Sequence, residues 1–202
     1  KGFKTSLTVV EGMQLDRGYL SPYFVNNNSK MSCDLDSPLI LLCNKRLDNL
    51  KEVMPIMEKA LNSNRSLLII ADDVDGDAMQ GLVLNRVKGS LKVCAIRSPG
   101  FGENRVEMLE DMAAQLGCRK TASDIAGEKI QDFEIDDLGT CKKVSVGKMG
   151  TVFIGCSTNE EEVSSRIQSI KSQLNQSFIP EEEEEVLKLR LSRLAGGIAV
   201  LR

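Results

Sequence analysis

Residues 66–96, "SLLIIADDVDGDAMQGLVLNRVKGSLKVCAI", decide the fold class of this chain. The stretch starts and finishes with apolar runs, 66–71 and 91–96, which have the length and composition of buried strands. Between them, residues 76–88 carry the apolar spacing of a helix. The order strand, helix, strand predicts a βαβ unit whose two strands lie parallel in one sheet.

The same alternation extends to both sides of this unit. Further strands are predicted at 7–10 and 39–43, and further helices at about 53–62 and 103–116. In the later part of the chain, residues 142–155 are predicted to form a hairpin that turns at Gly147. Two helices are predicted after it, at about 159–175 and from near Pro180 to about 194. The sequence therefore predicts an α/β fold with a parallel βαβ core, a flanking β-hairpin and C-terminal helices.

Composition excludes several classes of function. The 26 basic and 29 acidic residues are mixed along the 202-residue chain, which argues against a nucleic-acid-binding surface. The apolar runs are strand-sized, and the first ten residues lack a long apolar centre, so we expect neither a membrane span nor a secretory leader. Histidine is absent, which excludes Ser-His-Asp and Cys-His nucleophile systems and histidine metal sites. The six cysteines contain no C-x-x-C pair and are interpreted as reduced, buried thiols.

Two loops resemble ligand-binding motifs. When residues 72–81 are aligned as the start of a calcium loop, Ala78 stands where the loop needs glycine and Leu84 where it needs glutamate. We therefore predict no metal site and interpret the acids as helix-capping groups. Residues 98–105, "SPGFGENR", join a strand to a helix and could cradle a phosphate. They lack the third glycine of a dinucleotide fingerprint and the Gly-Lys-Ser/Thr of a P-loop. A small α/β enzyme that binds a phosphate ligand there remains an alternative to a structural turn.

The two helices that flank residue 70 are apolar over more of their surface than one buried face requires. Each has an edge suited to the sheet, Val53, Ile56 and Ala60 on the first and Ala78 and Leu82 on the second. Each also has a spare edge: Met54, Met57 and Leu61 on the first, and Met79, Val83, Leu84 and Val87 on the second. The spare edges are either buried against other elements or open as a groove that binds a peptide.

Four stretches closely resemble the group I chaperonins, the GroEL type of bacteria, mitochondria and plastids. They are "VVEGMQLDRGYLSPYF" (9–24), "LLIIADDVDGDA" (67–78), "SPGFGENR" (98–105) and "RLAGGIAV" (193–200). The resemblance covers essentially the whole chain but only the apical domain of the family. It implies that residues 1–202 form a single apical, substrate-binding domain, with 1–12 and 195–202 directed toward an absent intermediate domain.

The resemblance implies a molecular chaperone that captures unfolded polypeptides and the mobile loop of a co-chaperonin (GroES type) on one apolar surface. Carried over position by position, that surface comprises Tyr19, Ser21, Tyr23, Phe24, Met54, Met57, Met79, Val83 and Leu84. The family usually has leucine at the three methionine positions. Gly12, Gly196 and Gly197 correspond to the hinge on which the domain swings, and a helix C-cap is the alternative role of Gly196.

The resemblance also implies what the chain does not do alone. No enzyme activity, metal or cofactor is expected in this domain, whereas the parent subunit would be an ATPase that uses ATP and Mg and assembles with sibling subunits into a seven-membered ring. The family implies an organelle matrix, plastid or mitochondrial, or alternatively a bacterial cytoplasm. A divergent paralogue that has lost general substrates is a further alternative. Residues 117–140 and the "SFIPEEEEE" stretch match the family poorly, so no role is transferred there.

Overall fold

The computed structural model describes residues 7–10, 12–100, 102–196 and 198–201. The strands in these residues are β1 (Leu7–Val10), β2 (Gly12–Leu15), β3 (Cys33–Asp36), β4 (Leu39–Leu42), β5 (Arg46–Leu47), β6 (Leu67–Ala71), β7 (Asp73–Val74), β8 (Val93–Arg97), β9 (Gly139–Val146), β10 (Thr151–Cys156) and β11 (Ile198–Leu201). The α-helices are α1 (Leu50–Asn62), α2 (Gly76–Val87), α3 (Asn104–Leu116), α4 (Glu160–Leu174) and α5 (Glu181–Ala195).

The centre of the fold is parallel. Strand β6 pairs in parallel with β4 on one side and β8 on the other, and α1 and α2 lie in the two connections. The side chains of β4 and β6 are all buried, as expected of strands covered on both faces. The predicted α/β class with a parallel βαβ core is confirmed.

An antiparallel region extends this centre into a seven-stranded sheet, in which six strands follow the order β2-β10-β9-β4-β6-β8 and the seventh, β3, pairs with β9. Strands β9 and β10 form the predicted hairpin, and Gly147 N–H donates to the Gly150 carbonyl across its turn at 2.8 Å. Both β3 and β4 pair with β9, one after the other, and the chain bends between them at Ser37, whose φ is 45°. The long strand β9 therefore joins the hairpin to the parallel centre.

Helices α3, α4 and α5 form a separate layer with a small apolar core of its own. Val163 and Ile170 of α4 meet Leu187 and Leu194 of α5 there, together with Ala114 of α3. The acidic run at the start of α5 is the solvent-facing first turn, and Pro180 is the N-cap residue rather than part of that turn. The helix that we predicted to start near Pro180 starts at Glu181.

The start of α1 differs from the predicted start at about residue 53. The helix starts at Leu50, and the Asn49 side chain caps it by accepting a hydrogen bond from Lys51 N–H at 2.9 Å. Pro55 lies in the second turn, where it forgoes one backbone hydrogen bond. Asn49 is a strong N-cap residue, and it marks the start of this helix better than Pro55 does.

Strands β1 and β11 pair antiparallel with each other, in the register Leu7 with Leu201 and Val10 with Ile198. Gly12 is the first residue of β2, and Gly196 is the C-cap of α5 with an extended backbone. A Cβ atom on Gly196 would lie 2.6 Å from the Ser192 carbonyl oxygen, so close approach to α5 explains this glycine. Gly197, the third predicted hinge residue, lies outside the described residues.

Candidate binding groove

The two helices α1 and α2 contact each other directly, and a glycine sets how closely they approach. A Cβ atom on Gly81 of α2 would lie 2.3 Å from Cδ1 of Leu50 on α1. Any larger residue at 81 would push Leu50 away or separate the helices. Gly81 and Leu50 therefore form the contact between the two helices.

The apolar surface of α1 divides into two edges, largely as predicted. Val53, Ile56 and Ala60 are completely buried, whereas Met54 and Leu61 are 43% and 41% exposed. The prediction that Met57 is exposed is wrong, because its side chain is only 5% accessible. On a helix Met57 lies about 40° from Val53, whereas Met54 lies about 100° from it, so Met57 falls within the buried face of α1.

Helix α2 presents apolar side chains on both sides of its outer surface. Ala78 and Leu82 are buried against the core, as predicted. Met79 and Val83 are half-buried and pack on the same core, while Leu84 is 51% exposed. Leu84 lies toward the α1 side of the helix, and Met79 and Val83 lie toward the opposite side. Helix α2 is thus a ridge between α1 and the segment that contains Tyr23.

The segment 18–25 is fixed by its backbone to the rest of the fold. Tyr19 N–H donates to the Gly147 carbonyl and Leu20 N–H to the Ala95 carbonyl, each at 3.0 Å, so the segment covers the outer edge of β8. A Cβ atom on Gly18 would lie 2.0 Å from the Lys148 carbonyl oxygen, which explains the glycine. Residues Pro22–Phe24 then form a single 3-10 turn that contacts α2.

The polar and aromatic groups of this segment have different surroundings. The Ser21 hydroxyl accepts a hydrogen bond from Tyr23 N–H at 3.2 Å, so it holds the turn in shape. The Tyr19 ring is half-buried against the core, and its hydroxyl donates to the Met31 carbonyl at 3.2 Å. Tyr23 is 67% exposed.

Phe24 is completely buried, so the prediction that its ring lies on the open surface is wrong. Pro22 and the Ser21 cap close the turn in such a way that two consecutive rings point in opposite directions. Arg86 of α2 fastens the end of the turn, because its Nη2 donates to the Val25 carbonyl at 2.6 Å. Nothing in the helical pattern of the sequence marks this arginine as a functional residue.

The structure therefore brings seven of the nine predicted residues to one side of the domain, where they are exposed or half-buried. They lie on α1, α2 and the segment 18–25: Tyr19, Ser21, Tyr23, Met54, Met79, Val83 and Leu84. Leu61 and Val87, which is 62% exposed, belong to the same spare edges but were not among the nine. We refer to the exposed set Tyr23, Met54, Leu61, Leu84 and Val87 as the apolar groove.

The turn at 98–105, the alternative phosphate site, carries one ion pair and one side-chain hydrogen bond to Asp72. Arg105 lies 3.2 Å from a carboxylate oxygen of Asp72, and the Ser98 hydroxyl donates to the same carboxylate at 3.3 Å. An anion at this turn would face that carboxylate. Gly100 has a φ of +92°, and a Cβ atom there would lie 2.8 Å from the Met108 sulfur. The local structure therefore explains why this position is a glycine, without a bound phosphate.

The acids of residues 72–77 serve mainly as ion-pair partners. Asp73 pairs with Arg97 at 3.2 Å, and Asp75 pairs with Arg46. Asp75 is the N-cap residue of α2, as the capping interpretation requires, but its side chain makes no capping hydrogen bond. Within the part of the chain that the structure describes, no cluster of three or more potential metal ligands is found.

A comparison with protein-family models finds no match for this chain. Among the residues described, no helix has the length and apolar character needed to cross a membrane.

Proposed function

We propose that this chain is the apical domain of a group I chaperonin subunit and that it captures non-native polypeptides in the apolar groove. The observation that supports the proposal most strongly is a contrast in exposure along single elements. Tyr23, Met54 and Leu84 face solvent, whereas Phe24, Ile56 and Leu82 beside them are buried. A monomeric domain has no structural need for such a set of neighbouring exposed apolar side chains.

The chemistry of the groove suits a partner of variable sequence. An apolar surface formed by two neighbouring helices and a rigid turn accommodates an extended or helical peptide. Methionine adapts its shape at little cost, so Met54 and Met79 favour breadth over selectivity. The Tyr23 ring is presented on a turn closed by Pro22 and the Ser21 cap, which reduces the entropy lost on binding.

The expected affinity of one domain is low. Covering the exposed half of one such side chain removes roughly 40 Å² of apolar surface, which contributes about 1 kcal/mol. Four or five contacts supply only a few kcal/mol, offset in part by the ordering of the peptide. A seven-membered ring of such domains would bind one unfolded chain at several points, and this multivalency raises the overall affinity.

In this proposal the co-chaperonin (GroES type) competes for the same groove, and ATP and Mg act in an equatorial domain outside this chain. The domain itself catalyses no reaction. The family further suggests an organelle matrix or a bacterial cytoplasm. Gly12 and Gly196 suit a hinge, because they lie in the two connections between the β1–β11 pair and the rest of the domain. Since Val10 pairs with Ile198, both connections lie at the same end of that strand pair.

Leu84→Glu should strongly weaken peptide capture without unfolding the domain. Leu84 is exposed, so a carboxylate there stays hydrated in the free protein, whereas an apolar peptide would have to bury it. We expect binding of a fluorescent, permanently unfolded polypeptide to weaken at least about tenfold, a change of about 1.4 kcal/mol. Fluorescence anisotropy measures this, and Tyr23→Glu should behave in the same way. Val83→Glu is a poorer test, since Val83 packs on the core.

Leu189→Glu is the matched control, because Leu189 is 44% exposed on α5, in the helical layer apart from α1 and α2. It should leave both binding and the unfolding midpoint unchanged. Equal loss of binding in Leu84→Glu and Leu189→Glu would contradict a localised groove. Undiminished binding by both Leu84→Glu and Tyr23→Glu would reject the site. If the unaltered domain binds no unfolded polypeptide at all, the divergent paralogue that has lost general substrates is the better description.

A further inference from the structure

Cys141 of β9 and Cys156 of β10 face each other across the antiparallel hairpin. Ser157 N–H donates to the Thr140 carbonyl at 3.0 Å, which makes the cysteines a non-hydrogen-bonded pair, the type whose Cα atoms lie about 4.5 Å apart. Cβ atoms of such pairs approach the separation of about 3.5–4.5 Å that a disulfide requires. The two thiols are close enough to interact, and Cys141 Sγ also donates to the Lys143 carbonyl at 3.5 Å.

The two thiols differ in access to solvent. Cys141 is buried, whereas Cys156 is half-buried. The hydrogen bond with Cys156, together with burial, raises the pKa of Cys141, so Cys141 is a poor first nucleophile. A cavity of about 630 Å³ beside the end of the hairpin is lined by Ser157 and by Cys118, whereas Cys156 reaches the surface only in part. A small oxidant therefore reaches Cys156 more easily than Cys141.

We propose that Cys141 and Cys156 are an oxidation site that closes to a reversible intramolecular disulfide by exchange with a low-molecular-weight disulfide of the glutathione type. The Cys156 thiolate attacks one sulfur of that disulfide, forms a mixed disulfide and releases one small thiol. The Cys141 thiolate then attacks Cys156 Sγ and releases the second. Two protein thiols become one disulfide, the small disulfide becomes two thiols, and two protons pass from protein to small thiols.

The cross-link would tie the hairpin together where it meets the helical layer. Just after Cys156, the Thr158 hydroxyl donates to the Gln115 carbonyl and Asn159 N–H donates to the Ala114 carbonyl, each at 2.8 Å. Closing the 141–156 loop restricts the unfolded chain, so the oxidised protein should unfold at a Tm higher by about 5–10 °C. This inference does not depend on the proposed peptide binding.

The test is exchange of the native chain with oxidised glutathione, followed by alkylation of free thiols, trypsin digestion and mass spectrometry. Cys141 lies in the tryptic peptide 130–142 and Cys156 in 149–166. We expect these two peptides to be joined, the protein to stay monomeric on a non-reducing gel, and the link to disappear after treatment with a thiol reductant. The accompanying rise in Tm should be absent in Cys141→Ala, in which Cys156 should instead retain one glutathionyl group.

Cys33 and Cys94 provide an internal control, because their thiols also interact but both are completely buried. They should stay reduced and resist alkylation while the protein is folded. A linked peptide that instead contains Cys118, in peptide 106–119, would overturn the proposal. So would a mixed disulfide that persists on Cys156 in the unaltered chain, or equal oxidation of the Cys33–Cys94 pair, which would indicate reaction of unfolded protein.

Discussion

Asp111→Ala is expected to lower the free energy of unfolding by about 3–5 kcal/mol. Asp111 is buried on α3 and holds two arginines at once. Arg190 of α5 donates to its two carboxylate oxygens at 2.7 and 3.1 Å, and Arg166 of α4 donates to one of them at 2.6 Å. Removing the carboxylate leaves the buried Arg190 guanidinium without its main partner, and urea unfolding followed by circular dichroism measures the loss.

Glu184→Ala is the control for this experiment. Glu184 forms an exposed i,i+4 ion pair with Lys188 at 3.0 Å, and such pairs contribute only about 0.3–0.5 kcal/mol. The double variant Asp111→Leu with Arg190→Met should recover much of the stability, because the cost arises from an unpaired buried charge rather than from lost attraction. A loss below about 1 kcal/mol for Asp111→Ala would show that Glu107, 3.6 Å from Arg190, replaces it.

The parallel centre could be predicted from sequence because its signals are local. Strands β4, β6 and β8 are continuous apolar runs, and the helices between them repeat their apolar residues at helical spacing. Strands β5 and β7 are two residues long, too short to show any period, and were missed. Strands β2 and β3 were missed as well, since four residues of mixed polarity do not distinguish a strand from a loop.

The region between α3 and β9 could not be predicted for a different reason. It contains two 3-10 turns and no longer element among the described residues, and tertiary contacts define it. Ala122 forms a parallel bridge with Cys43 and so continues from the end of β4, while Phe133 is completely buried. No periodic pattern encodes such contacts, because the partners are distant in sequence.

In the candidate groove, too, the sequence predicted the exposure of some side chains correctly and of others wrongly. The helical period correctly separated Val53, Ile56 and Ala60 from Met54, since these residues differ by a large angle around α1. The helical period did not separate Met57 from Met54, because the width of the buried face depends on which other elements pack against the helix, and α1 contacts both α2 and the 3-10 turn Ile130–Asp132. Whether the exposed residues bind a polypeptide remains the prediction that the glutamate variants test.

Phe24→Ala is expected to cost about 3–5 kcal/mol of unfolding free energy. The Phe24 ring is completely buried under the 3-10 turn that contacts α2, so truncation opens a cavity in the core. The turn would also lose the anchor that supports the Tyr23 side of the groove. Urea unfolding followed by helical circular dichroism is the suitable measurement, because the chain has no tryptophan and only two tyrosines to report by fluorescence.

Tyr23→Ala is the matched substitution, one residue away and opposite in its expected effects. Because the Tyr23 ring is 67% exposed, its loss should change the unfolding free energy by no more than about 0.5 kcal/mol. The same variant should weaken binding of the unfolded polypeptide, since this ring is the aromatic member of the apolar groove. If Tyr23→Ala destabilises the domain as much as Phe24→Ala does, the ring at position 23 is part of the core, and the groove loses its outer wall.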